Sequence, residues 1–144
     1  MDNPLPSAIL NSMSFDTDIV IVGGGLSGPT LALALAANGL RVTVIDAQKS
    51  QTRKAEGFDG RSYALALTSV RLLQGIDLWE TVAKYAQPML EIKVTDGRAG
   101  EGPSPFFMHF DHAEIEEGPM GHMIEDRYLR RALMNAVGAA EGIK

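Results

Sequence analysis

The feature that most constrains this sequence is a glycine-rich stretch between an expected strand and an expected helix. Residues 19–22, IVIV, form a β-branched run typical of a strand buried on both faces of a parallel sheet. The run leads directly into residues 23–28, GGGLSG, which contain the pattern G-x-G-x-x-G. Gly23 permits a tight turn, Gly25 lets the backbone approach a diphosphate, and Gly28 lets the following helix pack against the strand. Unpaired peptide N–H groups and the positive end of the helix dipole then form a diphosphate site at the helix start.

The segments on either side of the glycines predict one βαβ unit. We expect a first strand over residues 15–22, a helix over residues 26–38 and a second strand over residues 41–46. Pro29 is compatible with the helix because it falls in the first turn, where its missing N–H would have had no intrahelical partner. The second strand ends on Asp46, and an acidic side chain about twenty residues after such glycines accepts hydrogen bonds from ribose hydroxyls. The sequence therefore predicts a Rossmann-like α/β unit that binds an adenine dinucleotide.

Two short helices are expected in the middle of the chain. Residues 63–67 are compatible with either an extended or a helical conformation. Thr68 is expected to cap a helix over residues 69–74, and Asp77 is expected to cap a second helix over residues 78–86.

An antiparallel pair of strands is expected next, outside the nucleotide-binding sheet. Apolar and polar residues alternate over residues 90–95 and again over residues 106–111, which is typical of half-buried strands. The turn is expected at residues 96–97, Asp-Gly, followed by a loop. His109 and His112 belong to this region, and we interpret them as part of an exposed strand face and loop rather than as metal ligands.

The final segment predicts a strand followed by an amphipathic helix. The strand is expected over residues 121–124, and an apolar stripe at helical spacing predicts a helix from about residue 126 to residue 137. Arg130 and Arg131 lie off that stripe and are expected on a solvated face. Arg127 is different, because it lies at the start of the helix beside the end of the strand.

The bulk composition narrows the class of protein. The chain has 144 residues, with 13 basic and 18 acidic side chains and a net charge of −5, so nothing indicates nucleic-acid binding. It contains no cysteine, which excludes a disulfide framework and a thiolate metal site. No apolar run is long enough to span a bilayer, and the start of the sequence lacks the cationic region of a signal peptide. A cytoplasmic location is the default expectation.

The motifs also resemble a known family. GGGLSG followed by Asp46 resembles the amino-terminal fingerprint of FAD-dependent enzymes. Residues 59–79, DGRSYALALTSVRLLQGIDLW, and residues 121–137, GHMIEDRYLRRALMNAV, narrow the resemblance to the class A flavoprotein aromatic hydroxylases. Within them, the chain is most similar to the ubiquinone-biosynthesis hydroxylases.

The resemblance implies a set of cofactor-binding residues. In that family, the position of Arg61 lies along the FAD near its pyrophosphate and ribose, and the position of Arg127 reaches the flavin side of the cofactor. Together with the fingerprint, the predicted FAD-binding residues are Gly23, Gly25, Ser27, Gly28, Asp46, Arg61 and Arg127. The catalytic residues are not identified, and no metal is expected.

The resemblance also implies a domain organisation. Residues 1–14 are expected to be a mobile tail, residues 15–88 the FAD-binding βαβ unit with its following helices, residues 89–112 the start of an antiparallel substrate-domain sheet, and residues 113–144 a return to the FAD-binding domain. Family members are considerably longer and carry Asp-Gly and Gly-Asp cofactor motifs that are not found here in their expected context. We therefore expect an amino-terminal portion of a larger fold, ending in AAEGIK, where another strand of the nucleotide sheet would begin.

The activity that the resemblance implies is hydroxylation of an aromatic ring. NAD(P)H and oxygen would be the co-substrates, and a polyprenyl phenol of ubiquinone biosynthesis would be the substrate. Such a substrate implies a location at the inner membrane surface as a peripheral protein. The isolated chain is expected to be inactive and to self-associate, because buried-type strands are left with an open edge.

Two other interpretations stay open from the sequence. An NAD(P)-dependent Rossmann dehydrogenase shares the glycine fingerprint, and Asp46 would suit NAD. Against it, such a fold normally supplies its next parallel strand soon after the acidic residue. The second alternative is a non-catalytic nucleotide-binding stub.

Overall fold

The structure, a computed structural model, describes residues 15–48 and 57–144. In chain order, its helices and strands are β1 (Ile19–Val22), α1 (Ser27–Ala36), β2 (Val42–Ile45), β3 (Ser62–Ala66), α2 (Leu67–Gly75), α3 (Trp79–Val82), β4 (Gln87–Pro88), β5 (Glu91–Arg98), β6 (Gly102–Asp111), β7 (Gly121–Glu125) and α4 (Asp126–Ala139). The expected tail over residues 1–14 and the segment over residues 49–56 lie outside the described residues.

The predicted βαβ unit is present. β1 pairs in parallel with β2, in a register that runs from Ile19 opposite Val42 to Val22 opposite Ile45. Pro29 lies in the first turn of α1 and is buried, as its missing N–H allows. The helix is held on the sheet by a small apolar cluster of Ile21, Ala32 and Val42.

The last residues of the chain extend this parallel sheet on the other side of β2. Ile143 forms a parallel bridge with Val42. The Val42 N–H donates to the Gly142 carbonyl at 2.7 Å, and the Lys144 N–H donates to the Val42 carbonyl at 2.9 Å. This bridge lies where the sequence predicts that another strand of the sheet begins, although no full strand is formed there.

A second sheet and three helices form the larger core. β7 lies in the middle of this sheet, with β3 and β4 antiparallel on its two sides. Of residues 63–67, which the sequence left open between strand and helix, the first four belong to β3 and Leu67 begins α2. The core comprises Val70, Leu73, Leu78, Trp79, Val82, Ile124, Leu129, Ala132 and Leu133. Each fully buried large aliphatic side chain among them stabilises the fold by about 1.5–3 kcal/mol relative to an exposed one.

The two predicted helix caps are wrong. α2 begins at Leu67, and its N-cap is Ala66, which makes no side-chain cap hydrogen bond. α3 is a single turn with Leu78 at its N-cap. Asp77 instead adopts a left-handed φ of 54° and closes the end of α2, its N–H donating to the Gln74 carbonyl at 3.0 Å. Aspartate tolerates this conformation better than most residues. An aspartate between two helices can therefore end the first helix rather than cap the second.

The antiparallel hairpin is present as a separate two-stranded sheet, but its turn lies later than expected. β5 continues through Gly97, which pairs with Pro103, and Gly100 takes a φ of +87° in the turn between the strands. A Cβ at Gly97 would lie 2.9 Å from the Gly102 carbonyl oxygen. Gly97 therefore serves a close approach of two strands, whereas the turn requires Gly100.

The start of β1 is fastened to β2 by an exposed ion pair. Asp18 Oδ1 and Oδ2 accept hydrogen bonds from Arg41 Nη2 at 2.7 Å and from the Arg41 backbone N–H at 2.8 Å. The side-chain hydrogen bond from Arg41 is the main cause that lowers the pKa of Asp18 from 3.8 to about 2. Because the folded state holds this carboxyl ionised, its contribution to stability is present above the unfolded pKa and is lost as the pH falls towards the folded one.

We predict that Asp18→Asn lowers the thermal unfolding midpoint at pH 7. The difference from wild type should shrink as the pH falls from about 4 to about 2, because the wild-type carboxyl then takes up its proton. Differential scanning fluorimetry across this range measures it. Asp16→Asn is the matched control, since it removes the same charge from a neighbouring exposed position. A wild-type advantage that stays constant down to about pH 2 would contradict the assignment.

Candidate functional site

The glycine loop between β1 and α1 is shaped by three different constraints. Gly23 has a φ of +114°, a conformation that only glycine adopts readily. A Cβ at Gly28 would lie 1.9 Å from the Gly23 carbonyl oxygen, so the first turn of α1 packs directly on the loop. A Cβ at Gly25 would meet no atom within 4 Å. The side of the loop at Gly25 is therefore open, whereas the side at Gly28 is closed.

Asp46 lies beside this loop at the end of β2. Its Oδ2 accepts a hydrogen bond from the Gly24 N–H, and its Oδ1 accepts one from the Gln48 N–H at 2.6 Å. These two backbone bonds orient the carboxylate at the edge of the loop. The acidic side chain is thus in the position that the glycine pattern predicts for a ribose-binding residue.

A cleft of about 400 Å³ joins the βαβ unit to the second sheet. Gly25, Leu26 and Gln48 line it from the first unit, and the other side is lined by Arg61, Tyr63, Asp126 and Arg130. The cleft therefore brings Arg61 to the open side of the glycine loop. It does not include Arg127 among the described residues that line it.

Charged side chains form a balanced cluster on the far side of the cleft. Asp126, with a side chain 3% exposed, accepts from Arg130 Nη2 at 2.9 Å and from Arg61 Nη2 at 3.3 Å. The Tyr63 hydroxyl donates to the other oxygen of Asp126 at 3.1 Å. Asp59 adds a second carboxylate, which accepts from Arg61 Nη2 at 2.6 Å. Two carboxylates and two guanidinium groups thus neutralise one another beside the cleft.

The titration properties of the cluster follow from these contacts. The hydrogen bond to Asp59, and then the charge of Asp126, raise the pKa of Arg61. The same bond from Arg61 lowers the pKa of Asp59. Burial, followed by the hydrogen bond to Asp126, raises the pKa of Tyr63. Asp59, Arg61 and Tyr63 therefore keep their ordinary neutral-pH forms, with Arg61 held positive.

Arg127 lies at the start of α4 but is turned to a different set of partners. Its Nε is 2.6 Å from Glu125 Oε2, and its guanidinium carbon lies 4.7 Å from the centre of the Tyr128 ring and 5.8 Å from that of Phe58. The structure thus brings together the glycines, Asp46 and Arg61, and leaves Arg127 apart from them.

Sequence reasoning missed three residues of the cleft: Tyr63, Asp126 and Arg130. The expectation that Arg130 belongs to a solvated face is wrong, since its side chain is only 13% exposed and is paired with Asp126. Arg131 is also partly buried, with its guanidinium carbon 5.9 Å from the Tyr128 ring centre. A signal for the first pair existed, because an acid followed four residues later by a base is a common helical ion pair.

Two other kinds of feature, a membrane-spanning helix and a metal site, are not found among the described residues. Over the described ranges, none of the helices combines the length and apolar character needed to cross a membrane. Among those same residues, no three His, Asp or Glu side chains are grouped so that they could hold a metal ion. His109 instead lies 3.2 Å from Glu91 on the exposed hairpin.

Comparison with known proteins agrees with the geometry of the loop. Residues 16–141 match the family model described as the FAD binding domain. The ubiquinone hydroxylase UbiL of Rhodospirillum rubrum is 47% identical over 121 residues, which cover 84% of this chain and 27% of that protein. The 3-demethoxyubiquinol 3-hydroxylase of Escherichia coli is 34% identical over 125 residues, which cover 85% of this chain and 30% of that protein. The chain thus spans less than a third of the length of these relatives.

Solved structures show the same fold. The p-nitrophenol 4-monooxygenase PnpA of Pseudomonas putida superimposes with a TM-score of 0.64 at 18% identity, covering 92% of this chain and 31% of that one. PqsL of Pseudomonas aeruginosa, in complex with 2-aminobenzoylacetate, gives a TM-score of 0.59 at 18% identity, covering 89% and 32%.

The residues present fit the group that the family binds. The open side at Gly25 leaves space for a diphosphate, and the contact at Gly28 sets the start of α1 beside it. The family match supports FAD rather than the nicotinamide nucleotide of a dehydrogenase, and it confirms the resemblance seen in the sequence. The chain belongs to the FAD-binding-domain family, and its cofactor is FAD.

Proposed function

We propose that this chain is the FAD-binding part of a monooxygenase that uses NAD(P)H and oxygen to hydroxylate an aromatic ring. The observation that carries the proposal is the open glycine loop at Gly25, which faces Arg61 across one cleft in a chain of this family. The names of the two relatives, both hydroxylases of ubiquinone or a precursor, favour a polyprenyl phenol as substrate. Such a substrate would bring the protein to the inner membrane surface as a peripheral protein.

We assign the binding of the cofactor to three groups of atoms. The N–H groups at the start of α1, from Gly25 to Ser27 and Gly28, would hold the diphosphate, which Gly23 makes accessible through the tight turn. Asp46 would accept from ribose hydroxyls, and Arg61 would neutralise the diphosphate. When bound, FAD supplies the capacity to take electrons from NAD(P)H and to activate oxygen.

Arg127 has a separate role in this proposal. Its guanidinium is held by Glu125 and lies against Tyr128, outside the diphosphate cleft. This position is compatible with a contact farther along an extended cofactor, on the flavin side. The role of Arg127 therefore rests on the family resemblance alone. The role of Arg61 is also supported by its position in the cleft, opposite Gly25.

The hairpin supports the proposed domain organisation. We propose that residues 15–88 and 113–144 form the FAD-binding domain and that residues 89–112 begin a substrate domain. β5 and β6 pair only with each other among the described strands, and they expose one apolar face. Its members, all more than a third exposed, are Leu90, Ile92, Val94, Met108 and Phe110. Such a face could be covered by further strands packed against it or by an apolar ring substrate. Left exposed, it favours self-association of the isolated chain.

The proposal predicts that the chain binds FAD on its own, but weakly. Only the contacts of the glycine loop, Asp46 and Arg61 are available, so we expect micromolar rather than nanomolar affinity and no NADPH oxidation without further sequence. Quenching of flavin fluorescence measures the affinity, with NAD⁺ as the competing ligand. Failure to bind FAD, or tighter binding of NAD⁺, would contradict the proposal and favour the stub or the dehydrogenase.

Substitutions at Gly25 and Gly28 should have different effects. Gly25→Val should abolish FAD binding in a folded chain, because a side chain there fills only the open space meant for the diphosphate. Gly28→Ala should lower the unfolding midpoint, because its Cβ collides with the Gly23 carbonyl. Fluorescence titration and circular dichroism on both variants measure the two effects. Normal FAD affinity in Gly25→Val would rule out the assigned diphosphate position.

Asp46 provides the test of the ribose contact. Asp46→Ala removes a charge-assisted acceptor worth about 1.5–3 kcal/mol, so FAD should bind about ten- to hundred-fold more weakly. Asp46→Asn is the matched control, because its amide oxygen can still accept from the Gly24 N–H, and it should lose less. Unchanged affinity in the alanine variant, measured by the same titration, would show that this carboxylate has no part in binding.

A further inference from the structure

We propose that Asp126 is a positioning residue that holds Arg61 at the cleft, and that Asp59 occupies on Arg61 the place that a cofactor phosphate takes. This inference rests on the proposed function, because it assumes that the cleft receives the FAD diphosphate. It assigns opposite roles to two carboxylates that contact the same guanidinium nitrogen, Arg61 Nη2.

Asp126 has the properties of a fixed support. Its side chain is 3% exposed. It is paired with Arg130 one turn later in α4, and it accepts a hydrogen bond from the Tyr63 hydroxyl on β3. Its backbone N–H also donates to the Arg61 carbonyl at 3.0 Å, so main chain and side chain both join the start of α4 to the position of Arg61. Moving a buried carboxylate away from such partners would leave it uncompensated, so these contacts hold it in place.

Asp59 has the properties of an exchangeable partner. Its side chain is 39% exposed, and its Oδ2 accepts from Arg61 Nε at 3.0 Å and Nη2 at 2.6 Å. These two donors form an edge of the guanidinium, which is the edge that arginine commonly offers to a phosphate. An exposed ion pair of this kind contributes little to stability, so an anion with more charge can replace the carboxylate at small cost.

The two roles predict effects of opposite sign. Asp59→Asn and Asp126→Asn each remove one negative charge next to Arg61. If the charge near the cleft were all that mattered, both changes would tighten the binding of an anionic cofactor. If Asp126 positions the guanidinium, its loss weakens binding although a negative charge has been removed.

The test is a fluorescence titration of FAD with the chain and its variants at low ionic strength. We expect Asp59→Asn to bind FAD a few-fold more tightly than wild type, and Asp126→Asn to bind it roughly ten-fold more weakly. Tighter binding by both variants, or no change in Asp126→Asn, would overturn the inference. A wild-type chain that does not bind FAD would instead refute the proposed function, so the two failures are distinguishable.

A double-mutant cycle separates positioning from a merely structural role. In an Arg61→Gln background, Asp126→Asn should have no further effect on FAD affinity, because its action passes through the arginine. An equal loss in both backgrounds would overturn the inference. If circular dichroism shows that Asp126→Asn is unfolded, Tyr63→Phe replaces it in the cycle. This variant removes one hydrogen bond to the carboxylate and should weaken FAD binding in the wild-type background only.

Discussion

The close approach of the first turn of α1 to the Gly23 carbonyl is the contact on which the rest of the site depends. No side chain fits between them, since even a Cβ at Gly28 would lie 1.9 Å from that oxygen. This contact sets the helix start at the edge of the parallel sheet, where its N–H groups point at the open side of the loop. The parallel pairing of β1 with β2 places Asp46 beside Gly24, so the two parts of the expected nucleotide site come from one βαβ unit.

The cleft is completed by a second, long-range interaction. The buried carboxylate of Asp126 lies at the start of α4, and its partners Arg61 and Tyr63 come from a segment far earlier in the chain. Because a buried charge must be compensated, the network restricts how α4 and β3 can be arranged. The same helix contacts α1, so the carboxylate connects the packing of the core to the shape of the proposed diphosphate cleft.

How much could be predicted from the sequence differs between the two halves of the site. The βαβ unit follows from local rules, because Gly23 and Gly28 each answer a constraint within a few residues of themselves. The contacts of Asp126 with Arg61 and Tyr63 do not, since these partners lie more than 60 positions earlier and only the fold brings them together. Sheet pairing between β3 and β7 was likewise invisible, because periodicity identifies a strand but not its neighbour. Asp77 could not be assigned from the sequence for another reason. Aspartate is favoured both at a helix cap and in a left-handed turn, and in the structure Asp77 adopts the left-handed turn.

The central claim is that the open side of the glycine loop binds the diphosphate of FAD. A crystal structure of the chain with FAD tests it most directly. We expect phosphate oxygens within hydrogen-bonding distance of the N–H groups at the start of α1, with Arg61 turned towards them and the ribose at Asp46. A cofactor bound elsewhere, for example on the hairpin beside Val94 and Met108, with no contact to residues 23–28, would contradict it.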